Sequence, residues 1–103
     1  MVRLEDIARA VADAVLAVPG VAGLSPGTGI EVSTQFSGGK VIGVRLTGDE
    51  VQVHIIAGRG PLPPIADEAA AAARQVMRAA GDDRPVVVFV DDIVPDAVTR
   101  RSG

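Results

Sequence analysis

The sequence predicts an α+β fold: a two-layer sandwich in the order helix, antiparallel strands, helix, strand, with both helices on one face of the sheet. Three observations lead there. Leu4, Ile7, Val11, Ala14, Val15 and Val18 recur at helical spacing and stop at Pro19-Gly20. Two alternating runs, Lys40 to Thr47 and Glu50 to Ala57, flank the turn pair Gly48-Asp49. A second helical stretch then precedes the unbroken apolar run Val86-Val87-Val88-Phe89-Val90.

The first helix is expected over Arg3 to Ala17, with Glu5 and Asp6 in the opening turn, where carboxylates favour the positive end of the helix dipole. Pro19 cannot continue it, and Gly20 supplies the freedom to turn. A short extended piece, Val21 to Leu24, leads into the loop Ser25-Pro26-Gly27-Thr28-Gly29. Ile30, Val32, Thr34 and Phe36 then alternate with Glu31, Ser33 and Gln35 as a half-exposed strand, closed by the turn Ser37-Gly38-Gly39.

Lys40 to Thr47 reads as one strand, with Ile42, Val44 and Leu46 on one face and Val41, Gly43 and Arg45 on the other. After the Gly48-Asp49 turn, Val51, Val53, Ile55 and Ala57 point inward, against Gln52 and His54 outward. Gly58 to Pro64 is a rigid connection into a helix over Pro64 to Ala80, with Ile65, Ala69, Ala72, Val76 and Ala79 as its stripe. Asp67 and Glu68 lie early in that helix, Arg74 and Arg78 late, and Gly81 is its expected C-terminal cap. The β-branched run after Pro85 reads as a strand buried on both faces or nearly so, ending at Asp91-Asp92 and placed either parallel or antiparallel to its neighbour. Residues 1–94 are thus expected to form a single domain, with a frayed tail from Pro95 to Gly103.

Composition narrows the function. The chain has 103 residues, 48% of them hydrophobic, which suits one core. A formal charge of −3 argues against a general grip on a phosphate backbone, so no direct nucleic-acid binding is expected. Phe36 and Phe89 are the only aromatics, too few for a base-stacking platform or an aromatic ligand cage. The absence of cysteine removes disulfides, thiol nucleophiles and thiolate metal sites, and a reducing cytoplasm is the default compartment. No apolar stretch approaches the roughly 20 residues of a spanning helix, so membrane contact is expected only peripherally or through a partner.

Val18-Pro19-Gly20-Val21-Ala22-Gly23-Leu24, the hairpin Gly43-Val44-Arg45-Leu46 through Val51-Gln52-Val53-His54-Ile55, and Leu62-Pro63-Pro64-Ile65-Ala66 together resemble the alkaline-shock and envelope-stress protein family of Gram-positive bacteria. The resemblance spans most of Leu4 to Ile93 and rests on the order and spacing of strings that are individually common. It implies a non-enzymatic cytoplasmic protein that self-associates and that, in some members, gathers at the membrane by binding a small membrane-anchored partner. It brings no catalytic motif, no metal and no cofactor.

The chemistry-bearing residues read blandly. Gly58-Arg59-Gly60 before a helix invites comparison with a phosphate loop, but Pro61, Pro63 and Pro64 lack N–H donors, and Asp67 and Glu68 place negative charge nearby. Gly38-Gly39-Lys40 lacks the rest of a P-loop and reads as a hairpin turn. His54, the only histidine, has no evident serine or cysteine partner for nucleophilic catalysis. Asp82-Asp83 and Asp91-Asp92 read as solvated turn carboxylates rather than a magnesium or calcium cage. What remains is a sheet face free of helices carrying Val41, Arg45, Gln52 and His54, a mixture suited to a protein-interaction surface and to a homo-oligomer. A small ligand- or RNA-binding module is the alternative, which salt-dependent RNA binding would distinguish.

Overall fold

The computed structural model describes residues 3–58 and 60–94. They form an α+β unit of two helices and six strands: α1 (Leu4–Leu16), β1 (Val21–Leu24), β2 (Ser33–Phe36), β3 (Gly39–Ile42), β4 (Val44–Leu46), β5 (Val51–Ala57), α2 (Leu62–Ala79) and β6 (Val86–Ile93). The expected tail from Pro95 onward lies outside the described residues.

β5 is the centre of the sheet. Its odd residues Val51, Val53, Ile55 and Ala57 are buried, and its even residues are only partly covered, the alternation expected of a strand with one face on the core. Backbone groups of the odd residues face β6, a parallel partner along the whole length: the Val51 N–H donates to Pro85 O at 2.8 Å, and the Val94 N–H to Ala57 O at 2.8 Å. Those of the even residues face the opposite edge, which β4 and β1 share end to end, both antiparallel. His54 spans their junction, its N–H donating to Gly43 O and its C=O accepting from the Ser25 N–H, each at 2.8 Å.

The expected single strand over Lys40 to Thr47 is broken at Gly43. That residue has a positive φ of 87°, which an L side chain rarely adopts, and a Cβ there would lie 2.7 Å from Leu24 Cβ. The break resets the alternation, so Val41 and Val44 both point into the core. β3 instead pairs with β2 as a separate hairpin, tied to β4 by the Gly43 N–H on Val32 O and the Thr34 hydroxyl on Val44 O. The expected strand from Ile30 starts only at Ser33, and Ile30 sits 84% exposed in the preceding turn. The β4–β5 turn is as expected: Thr47 Oγ1 accepts from the N–H groups of Asp49 and Glu50.

Both helices bury their stripes in one core with the odd residues of β5. Ile7, Ala8, Val11, Ala12 and Val15 come from α1, and Ile65, Ala69, Ala70, Ala73 and Met77 from α2. The α2 stripe is thus turned about one residue from the expected Ala72-Val76-Ala79 line, and Met77 is its largest fully buried member. α2 also starts two residues earlier than expected, so Asp67 and Glu68 fall beyond its first turn, whereas Arg78 lies in its last. Its end is a Schellman motif: Gly81, at φ 74°, donates to Arg78 O, and the Asp82 N–H donates to Met77 O.

β6 differs most from expectation. Among the described residues it pairs only with β5, so it is an edge strand, and its valines are half-buried. It continues past Val90 through Asp91 and Asp92 to Ile93, with an irregularity beside Ile55 and Ile56 that leaves Asp91 without a partner position on β5.

Candidate functional site

The side of β5 and β6 that carries the even β5 residues gathers three of the four expected surface residues. Arg45 of β4 is exposed and lies directly opposite Gln52 of β5, whose amide donates to the Glu50 carboxylate at 2.7 Å. His54 follows on the same side. Val41 does not join them: the Gly43 break turns it into the core, 8% exposed, so it is a packing residue and not the surface residue that the alternation predicts.

His54 is not isolated. Its Nδ1 lies 2.9 Å from Asp91 Oδ2, and the two side chains are only 14% and 11% exposed. A carboxylate accepts, so in this contact Nδ1 is the donor and Nε2 is the ring nitrogen turned away from Asp91. Phe89, in register with His54 on β6, stacks on the imidazole with centroids 4.4 Å apart and planes 18° from parallel. Asp91 is therefore half of a nearly buried pair and not a solvated turn carboxylate. Sequence reasoning missed it because 37 residues separate the partners. Only the parallel placement of β6, which the residues left open, brings them together. The available signal was an acidic residue two positions beyond the lone aromatic of the strand.

A histidine oriented by an aspartate is the base half of an acyl-transfer triad, which also needs a hydroxyl or thiol at Nε2. The hydroxyls seen in hydrogen bonds are engaged elsewhere: Ser25 with the Gly27 N–H, Ser33 with Glu31, Thr34 with Val44 O and Thr47 within its own turn. The pair acts as a tie between β5 and β6 across the partly open face.

The remaining motifs are structural. Gly58 donates its N–H to Gly20 O at 2.6 Å, which commits it to strand pairing, and α2 begins behind Pro61 without a side-chain cap; Arg59 lies outside the described residues. Lys40 bonds both carboxylate oxygens of Glu31 at 2.8 and 2.9 Å, and this hydrogen bond is the main influence holding the Glu31 carboxyl below its ordinary pKa. Asp82, expected to be solvated, accepts from the Arg84 N–H at 3.0 Å and pairs with its guanidinium at 2.9 Å. The backbone bond first, and the side-chain bond and charge after it, lower its pKa. Arg84 also donates to Thr47 O at 2.8 Å, tying the start of β6 to the β4–β5 turn.

A cleft of about 370 Å³ lies beside the end of α2, against Arg74, Met77, Arg78 and Arg84, and a shallow apolar groove of about 340 Å³ runs between the helices at Ile7, Ala10 and Val76. Neither is lined by Arg45, Gln52 or His54. Among the described residues no group of three His, Cys, Asp or Glu side chains converges as a metal site, and no helix is long and apolar enough to cross a membrane. Comparisons with protein-family profiles, with curated proteins and with solved structures found no match to this chain.

Proposed function

We propose that this chain is a non-enzymatic interaction module of the envelope-stress kind, a two-layer sandwich whose helices cover one side of the sheet while the other side binds protein. It acts by self-association and by binding a protein partner, and a membrane-anchored partner would bring it to the cytoplasmic face of the membrane. Arg45, Gln52 and His54 form the polar part of the working surface, and Phe89 its apolar part.

The observation that carries this reading is Phe89. A large aromatic 38% exposed on a strand, beside an exposed arginine's strand pair and a stacked imidazole, is the composition of a contact patch, since Arg and aromatic residues dominate binding energy at interfaces. His54, itself bonded to Asp91, stacks on that ring, and a side chain already packed in place loses less entropy on docking.

The test is light scattering on the purified chain and on Arg45→Glu. Arg45 makes no intramolecular salt bridge among the described residues, so the variant keeps its fold by circular dichroism. We expect the parent to gain mass with concentration and the variant to associate at least several-fold more weakly. A parent that stays monomeric and retains no protein partner from its native cell would end the proposal.

A further inference from the structure

We infer that the free edge of β6 pairs with the same edge of a second copy, antiparallel about a two-fold axis at Val88, joining two sheets into one. This deepens the proposed self-association and rests on it.

The backbone supplies the first argument. Since Val51 bonds to Pro85 and strand residues alternate sides, Val87 and Phe89 turn their N–H and C=O groups toward β5, and Val86, Val88 and Val90 turn theirs outward. No partner takes those outward groups among the described residues. The edge also lacks the usual protections: from Val86 to Val90 it has no proline, no lysine and no charge. A row of unpaired backbone groups flanked by β-branched side chains is a template for another strand.

Self-complementarity supplies the second argument and identifies the occupant. With the axis at Val88, the outward groups of Val86 meet those of Val90 in the other copy, Val88 meets Val88, and every outward group of the run is used. The same register sets Phe89 across from Val87 of the second copy, covering the exposed ring with an apolar neighbour. It also sets the Arg84 end of each strand beside the Asp92 end of the other. Arg84 uses part of its five-donor fork on Asp82 and Thr47, and Asp92 is exposed with one oxygen on the Ile93 N–H. A parallel arrangement would put like charges together at both ends.

The chain has no cysteine, so single introduced cysteines report this edge cleanly. We would prepare Val87→Cys, Val88→Cys and Phe89→Cys, with Glu68→Cys on α2 as a control, oxidise each mildly and measure covalent dimer. In parallel, sedimentation would compare the parent with Val88→Pro, which removes one outward N–H and no bond to β5. We expect crosslinking strongest at position 88, little at 68, and at least tenfold weaker association for Val88→Pro. An associating parent with no crosslink on β6 would overturn the edge pairing while leaving self-association standing. A parent that remains monomeric at all concentrations would overturn both. The cysteine series decides the matter even if the proline variant fails to fold.

Discussion

At Gly43 the lack of a single carbon atom allows β1 and β4 to meet end to end along β5. A Cβ there would press on Leu24 Cβ at 2.7 Å and on two carbonyl oxygens, and the positive φ adds its own strain. Gly43→Ala should therefore lower stability by about 1–3 kcal/mol from the backbone alone, and by more from the clash, read as a lower urea midpoint. Gly23→Ala, where a Cβ meets nothing, should change it little. The His54–Asp91 tie is tested by a double-mutant cycle to alanine in chemical denaturation. Its nearly buried partners should show a coupling of about 0.5–3 kcal/mol, whereas additive losses would mean that the contact is incidental. At this scale the sequence was a partial guide. Gln52 and His54 point where the alternation puts them, because nothing interrupts β5. Val41 does not, because a glycine inside an alternating run reads equally as a strand residue or a break, and only the approach of Leu24 from a distant strand decides.

Among the elements, α1 and β5 were legible because each carries a single period from end to end, terminated by Pro19-Gly20 or flanked by a turn. The α2 stripe was legible as a helix but not in phase: a run of alanines offers several nearly equal faces, and the choice falls on Met77 and the contacts of Ile65. β6 was misread because five consecutive apolar residues look the same on a central strand and on an edge. Two measurements belong here. Ile55, fully buried at the centre of β5, should cost about 2–5 kcal/mol when replaced by alanine, read from thermal or urea unfolding. Asp82, at the join of α2 and β6, has its folded pKa below the ordinary carboxyl value. Its ionised form therefore contributes stability in full above about pH 4, and that contribution is lost as pH falls through the lowered folded pKa. Asp82→Asn should be the less stable protein at neutral pH, with the gap to the parent closing in acid. A gap that stays constant down to about pH 2 would contradict the linkage.

For the whole molecule, the fold class follows from the sequence, since two amphipathic helices and alternating strands leave few ways to close one core. The side of the sheet that carries the even residues of β5 also follows in outline, from the alternation of that strand. Its most telling parts, Phe89 held against His54 and the unpaired edge of β6, depend on which strand lies beside which, and local pattern does not encode that. Association, through this side of the sheet and through the edge of β6, is the central proposal. Sedimentation velocity on the intact chain across a hundredfold range of concentration tests it most directly. A reversible shift to higher mass, in which Val88→Pro weakens pairing at the β6 edge and Arg45→Glu weakens contacts made by the face, is the predicted result; a single monomeric species at every concentration would contradict it.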